Sequence, residues 1–278
     1  MKKCLNAWSV DGKTGFKEMF TKLKDAGFDG VELNLDREGG SAHSLTFSTS
    51  PAALAEMRRI SDYCGLPVVS VSSSLYGSTM GSPNKKDRVY AREILLRQLD
   101  CAAALGAGGI LVVPGGPSEE VSLKTAWENS LETLRSLKEE IEAAKILVGF
   151  ENVWNRFFTS PFDMLSFINE TGCGYVCAYF DIGNAVAFSD PENWIEILGD
   201  KIRLVHVKDF KRQNGVNTGG EWVDISKGSV NWKKVVAALR TAGFDGFLTA
   251  EVSKSNRLES FSKFYSGVSS ALDSLIKR

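Results

Sequence analysis

Four side chains that can bind a metal or move a proton follow apolar, strand-like runs in the second half of this sequence. They are Glu151 in LVGFEN, Asp181 in AYFDIGN, His206 in RLVHVKD and Glu251 in FLTAEV. Successive members are 30, 25 and 45 residues apart, roughly the length of one strand and one helix. Three carboxylates and an imidazole are a suitable ligand set for one divalent cation. The sequence therefore predicts a metal-dependent enzyme.

Strand-like and helix-like segments alternate along the whole chain, which predicts the architecture that brings these four residues together. Continuous apolar strands separated by helices are typical of a parallel sheet covered by helices. We predict a single (β/α)8 TIM-barrel domain over residues 1–278, in which the carboxyl ends of the strands form the active face. The predicted strands are Lys3–Trp8 and residues 29–35, 67–73, 108–114, 145–152, 175–181, 202–209 and 246–252.

Eight helices are predicted between and after these strands. Three of them should begin at a capping residue followed by proline, at Ser50-Pro51, Ser160-Pro161 and Asp190-Pro191. The others are predicted at residues 15–26, 85–105 and 119–144, from about Asn231, and at 258–276. Long loops are expected at residues 36–49, 76–86 and 210–229, all after a strand and therefore on the active face.

Composition and charge exclude several classes of function. The chain has 278 residues, 24% of them charged and 43% hydrophobic, with a net charge of −1. This charge gives no electrostatic reason to expect a nucleic acid or an anionic membrane as a partner. The first residues contain no apolar run of signal-peptide length, and the five scattered cysteines indicate buried free thiols rather than disulfides. We therefore expect a cytoplasmic protein.

Each candidate ligand can also be explained by a structural role that needs no metal. Glu151 could be an ion-paired carboxylate, and a histidine amid apolar residues, such as His206, is often a satisfied core residue. Three acids gathered at one end of a barrel without a cation would repel one another, and burial would raise their pKa values. A bound cation removes that conflict, so the four residues together favour the metal site.

The motifs around these residues resemble those of the sugar phosphate isomerase/epimerase family, which has a xylose isomerase-like TIM barrel. The resemblance rests on EN-x-WNRF, YFDIGN, HVKDFKR and LTAEV and covers about residues 147–252 strongly. The family includes ketose 3-epimerases, L-ribulose-5-phosphate 3-epimerases and hexulose-6-phosphate isomerases. It implies one bound Mn²⁺, Mg²⁺, Co²⁺ or Zn²⁺, a small sugar substrate and a homodimer or homotetramer.

By this resemblance, Glu151 and Glu251 are catalytic bases as well as metal ligands, and Asp181 and His206 are ligands only. An enediolate would form as one glutamate removes a proton beside the ketone and the other returns it to the opposite face. The implied substrate contacts are Arg212 and Asn184. From the residues themselves we add Trp8 as an apolar wall and Lys208 as a cation for the substrate, and Asp209 as a residue that orients a ligand.

Two departures from the 3-epimerase pattern leave the substrate open. Asn184 stands where the ketohexose 3-epimerases usually have a histidine, and Phe158 stands where they have a glutamate. Both weaken an assignment to free ketohexoses and leave room for a sugar phosphate. An aldose–ketose isomerase or a keto-inositol dehydratase would use the same cage, and a non-catalytic sugar-binding barrel is a further alternative. DNA-repair endonucleases of this fold use several histidines, and this chain has two.

Overall fold

Ten β-strands form in a computed structural model of the chain, which describes residues 1–256 and 258–277. They are β1 (Lys2–Asn6), β2 (Gly30–Leu35), β3 (Val68–Ser73), β4 (Gly109–Val112), β5 (Leu147–Glu151), β6 (Val176–Asp181), β7 (Ile202–Val207), β8 (Asp209–Arg212), β9 (Gly220–Val223) and β10 (Phe247–Ala250). Eight of them close into a parallel barrel in the order β1-β10-β7-β6-β5-β4-β3-β2. The predicted (β/α)8 barrel is confirmed.

Helices cover the outside of the barrel. They are α1 (Phe16–Asp25), α2 (Pro51–Cys64), α3 (Lys85–Leu105), α4 (Leu123–Arg135), α5 (Lys138–Ala144), α6 (Pro161–Thr171), α7 (Ile182–Val186), α8 (Pro191–Leu198), α9 (Trp232–Thr241) and α10 (Phe261–Ile276). Among the described residues, no helix is both long and apolar enough to cross a membrane. All five cysteines are free, and Cys64 alone among them is not fully buried.

The predicted starts of the three helices that begin with proline are correct, but their first turns are capped differently. Ser50 accepts a hydrogen bond from Ala53 N and so caps α2. Ser160 forms a capping box with Asp163 at the start of α6. Asp190 precedes α8 without capping it. Its carboxylate instead lies 3.1 Å from the Arg212 guanidinium.

Several predicted segments differ from the structure. The first strand ends at Asn6, because Ala7–Ser9 form a 3-10 helix that contains Trp8, and α7 occupies a segment where no helix was predicted. The predicted helix 119–144 is broken into α4 and α5, because the chain leaves helical geometry at Leu137 (φ −112°), whose side chain is fully buried. The predicted loop 210–229 contains most of an antiparallel hairpin of β8 and β9, with Asp209 opposite Val223. The predicted strand 202–209 therefore ends at Val207, and Asp209 belongs to the hairpin. These pairings depend on residues distant in sequence, which a local pattern does not show.

Glycines leave room inside the barrel for large side chains, both from a neighbouring strand and from across the interior. A Cβ on Gly109 would lie 2.8 Å from Leu204 Cδ1, and one on Gly149 would lie 2.9 Å from Tyr179 Cβ. Because Leu204 lies on β7 and Gly109 on β4, their contact crosses the barrel interior. His206, two residues beyond Leu204 on the same strand, points to the same interior.

We predict that Gly149→Ala destabilises the barrel, because the new methyl group overlaps Tyr179 and Leu204. Overpacking of this kind lowers the free energy of unfolding by about 1–3 kcal/mol. Gly174→Ala is the matched control, since nothing lies within 4 Å of a Cβ at that position. Urea denaturation of both variants checks the prediction, and equal stabilities of the two would contradict it.

Candidate metal and active site

The four predicted ligands lie at the carboxyl ends of four neighbouring barrel strands. Glu151 ends β5, Asp181 ends β6, His206 is the penultimate residue of β7 and Glu251 directly follows β10. The register of the sheet brings them together, because Asp181 pairs with His206 and Thr249 also pairs with His206. Side chains two residues apart on a strand face the same way, so Thr249 and Glu251 both point inward.

One ligand atom from each of the four residues lies within 4.8 Å of those of the other three. His206 Nδ1 is 3.2 Å from Glu151 Oε1, 3.6 Å from Glu251 Oε2 and 3.9 Å from Asp181 Oδ2. All four are buried except Glu251, which is half-buried. We refer to these four residues as the acidic cluster.

The acidic cluster fits a divalent cation. Carboxylate oxygens together with one imidazole nitrogen suit Mn²⁺, Zn²⁺ and related ions. Asp181 Oδ2 is buried and accepts no well-aligned hydrogen bond, although the Lys208 ammonium lies 2.9 Å from it, whereas Asp181 Oδ1 accepts a hydrogen bond from Asn184 N at 2.7 Å. A buried carboxylate oxygen needs hydrogen bonds or a cation, and coordination of a metal ion would supply the cation. The residues that would hold the ion are therefore Glu151, Asp181, His206 and Glu251.

Lys208 also reaches into the acidic cluster. Its ammonium nitrogen lies 2.9 Å from Asp181 Oδ2 and 2.5 Å from Glu251 Oε2. Burial opposes the charge of Lys208, but Asp181 and Glu251 outweigh burial and raise its pKa. Burial likewise works to raise the pKa of Glu251, yet the Lys208 and His206 cations hold that pKa below its ordinary value.

Glu151 has a different electrostatic environment from Glu251. Burial raises the pKa of Glu151 to about 7, although His206 and Lys208 oppose the shift. Lys208 forms its ion pairs with Asp181 and Glu251, not with Glu151. Without a metal, the two glutamates therefore differ in how readily they hold a proton.

Glu32 on β2 contacts the candidate site, and the sequence analysis missed it. It is fully buried, and its Oε1 lies 2.7 Å from His206 Nε2 across the barrel. Tyr179 Oη (2.5 Å) and Ser70 Oγ (2.6 Å) donate to its other oxygen. Because Nε2–H is committed to Glu32, Nδ1 is the nitrogen of His206 that faces the acidic cluster. The available signal was a glutamate between Val31 and Leu33 in a mainly apolar strand.

The contact between Glu32 and His206 also affects the pKa values of both residues. Burial works to raise the pKa of Glu32, but His206, Ser70 and Tyr179 lower it overall, so the carboxylate is charged. Burial works to lower the pKa of His206, but Glu32 and Glu151 raise it overall. Coordination requires a neutral Nδ1, so uptake of a metal would release a proton from His206.

The other predicted site residues have different surroundings. Trp8 and Lys208 line a cavity of about 750 Å³ that reaches Glu251, and Trp222 of the hairpin, which we did not predict, lines it too. Asn184 is buried beside Asp181 at the start of α7. Arg212 donates to Val186 O and Ser189 O and does not belong to the described lining of that cavity. The role of each residue toward a substrate stays a prediction.

Asp209 and two serines of β3, Ser72 and Ser73, make their hydrogen bonds to the protein framework. Asp209 accepts hydrogen bonds from Trp232 Nε1 and from the backbone of three loop residues, Ser226, Gly228 and Val230. It thus holds the loop that follows the hairpin, and its role in orienting a ligand stays a prediction. Ser72 accepts a hydrogen bond from Asn34, and Ser73 donates to Leu35 O.

A sequence model of the xylose isomerase-like TIM barrel family matches residues 20–268, and the chain belongs to that family. An uncharacterised protein of Methanocaldococcus jannaschii is 24% identical over 260 residues, which cover 88% of this chain and 85% of that protein. A probable endonuclease 4 of Mycobacterium leprae is 24% identical over 172 residues, which cover 60% of this chain and 67% of that protein.

Solved structures share the fold at low sequence identity. An L-ribulose 3-epimerase superposes with a TM-score of 0.80 and 18% identity over 99% of this chain and 94% of its own. The IOLI protein, in a structure with a zinc atom, has a TM-score of 0.80 and 13% identity over 100% of this chain and 98% of its own. At these identities the likeness establishes the fold, and function has to be argued from the site.

We predict that Glu32→Gln weakens metal binding, because an amide oxygen is a poorer acceptor for His206 Nε2–H and no longer fixes the ring as firmly. Loss of such a partner typically costs about 10–100-fold in metal affinity. Titration calorimetry with Mn²⁺ measures the effect, and Glu18→Gln, at an exposed position on α1, is the control. An unchanged affinity in Glu32→Gln would contradict the assigned role of Glu32.

Proposed function

We propose that the chain, as a member of this family, is a divalent-metal-dependent epimerase or isomerase of a ketose or ketose phosphate. The observation that carries the proposal is the approach of two glutamates to the acidic cluster from different directions. Glu151 comes from β5 and Glu251 from the end of β10, and two strands, β6 and β7, lie between them in the barrel. Two bases that flank one reacting carbon are what inversion of a stereocentre requires.

The proposed chemistry is proton transfer at a carbon next to a ketone. Removal of that proton gives an enediolate, whose negative charge must be stabilised. When bound, a divalent cation supplies the electrophile for the substrate oxygens. Glu151 and Glu251 act in turn: one removes the proton, and the other returns one to the opposite face. The roles are exchanged when the other epimer is the substrate.

The cavity next to Glu251 suits a sugar substrate. Its volume of about 750 Å³ falls within the usual range for small-molecule sites. Trp8 and Trp222 contribute indole surface to its walls, against which the C–H faces of a sugar ring can pack. We propose that Asn184 and Lys208 contact the sugar hydroxyls. Arg212 can do so only after it leaves its two backbone carbonyl partners.

The histidines argue against a DNA-repair activity despite the similarity to a probable endonuclease 4. His206 is the histidine of the acidic cluster. Both ring nitrogens of His43, the second histidine of the chain, lie within hydrogen-bond distance of backbone carbonyls, Thr14 O at 2.8 Å and Ala7 O at 2.9 Å. One imidazole therefore remains for metal binding.

The proposal predicts deuterium incorporation into a ketose in D₂O. Metal-loaded enzyme would be incubated with a panel of ketoses and ketose phosphates, and NMR would locate the label at each carbon. We expect label at C3 of one substrate. Each of Glu151→Gln and Glu251→Gln should slow this exchange by about 10²–10⁴-fold, because each removes one properly placed base.

The control is Glu221→Gln, an exposed carboxylate on β9 outside the cavity lining, which should exchange at the wild-type rate. Metal content must be measured in every variant, so that loss of a base is separated from loss of the ion. Label at C1 or C2 would identify an aldose–ketose isomerase. The absence of label with every substrate, despite one bound metal per chain, would reject proton transfer on these sugars and favour a dehydratase or a sugar-binding barrel.

A further inference from the structure

Lys208 lies where a cation is required, at the carboxylate oxygens that a metal would also use. Its ammonium nitrogen lies within 2.9 Å of Asp181 Oδ2 and 2.5 Å of Glu251 Oε2. These oxygens belong to two of the four proposed metal ligands. The Lys208 side chain is only 17% exposed, so its charge is not compensated mainly by water.

The acidic cluster needs such a compensating charge. Glu151, Asp181 and Glu251 face one another, and Glu32 adds a fourth carboxylate behind His206. Buried carboxylates at these separations destabilise a protein unless cations accompany them. A divalent ion supplies two positive charges, and without it Lys208 supplies one.

We propose that Lys208 is a built-in counter-cation that occupies the oxygens of Asp181 and Glu251 and is displaced from them when a divalent cation binds. Lys208 thereby lowers the metal affinity, because part of the binding energy of the ion is used to break two short ion pairs. It also keeps the protein stable before the metal is loaded. The inference rests on the proposed metal site but not on the proposed epimerase chemistry.

The surroundings of Lys208 allow this movement at the end of the side chain only. A Cβ on Gly183 would lie 2.5 Å from Lys208 Cγ and 2.8 Å from Lys208 O, so the stem packs directly against the backbone of α7. The ammonium nitrogen is 5.3 Å from the centre of the Trp222 ring, a distance at which a cation is attracted to the ring face. Both residues line the open cavity, which provides space for the displaced ammonium.

Lys208→Met tests the inference, because methionine keeps an unbranched stem and removes the charge. We expect this variant to bind Mn²⁺ about tenfold more tightly than the wild type in titration calorimetry, while the metal-free variant melts at a lower temperature. Lys211→Met is the matched control, since Lys211 is exposed on the hairpin and lies outside the cavity lining. It removes the same charge without touching the acidic cluster.

Tryptophan fluorescence supplies a second measurement. Mn²⁺ displaces Lys208 beside Trp222, so the wild type should show a fluorescence change that Trp222→Phe and Lys208→Met both lack. If Lys208→Met does not fold, Lys208→Gln tests the affinity in its place. Affinity in the Lys208 variants that equals or falls below that of the wild type would overturn the inference. Failure of both the wild type and the variants to bind Mn²⁺ would overturn it together with the metal site, whatever the result of the deuterium experiment.

Discussion

The gathering of four carboxylates, three of them buried, around one imidazole is the constraint on which the rest of this site depends. Glu32, Glu151, Asp181 and Glu251 cannot all be charged inside a barrel unless positive charge lies among them. His206 contacts Glu32 through one ring nitrogen and Glu151, a carboxylate of the acidic cluster, through the other. Lys208 neutralises the outer edge of the cluster. A divalent cation would complete this balance and turn an unfavourable set of side chains into a binding site.

The barrel makes this arrangement possible because it gathers residues that are far apart in the sequence. Glu32 and His206 are separated by 174 residues, yet β2 and β7 face each other across the interior. Tyr179 and Ser70 fix the far oxygen of Glu32, so the orientation of His206 is set by packing at the centre of the fold. The loops and the hairpin add a cavity next to Glu251, with Trp8 and Trp222 in its walls. The barrel strands thus position the proposed metal ligands, while the loops and the hairpin shape the cavity beside them.

Much of this could be predicted from the sequence because it follows from local patterns. Apolar runs with capped helices between them gave the barrel strands to within a few residues, and α3 lies where predicted, at Lys85–Leu105. The acidic cluster could be predicted because its four residues lie at or next to strand ends. The role of Glu32, the ion pairs of Lys208 and the carbonyl contacts of Arg212 could not be predicted, because they depend on barrel closure and loop conformation. The break at Leu137 likewise reflects tertiary burial against a helical pattern.

Anomalous diffraction from Mn²⁺-soaked crystals would test the central claim most directly, since it locates the ion independently of any assay. The account predicts one Mn²⁺ per chain, at about 2.0–2.3 Å from oxygens of Glu151, Asp181 and Glu251 and from Nδ1 of His206. It also predicts that the Lys208 ammonium has left Asp181 and Glu251. An ion bound elsewhere, or no ion with Lys208 still paired to both carboxylates at saturating Mn²⁺, would contradict the account.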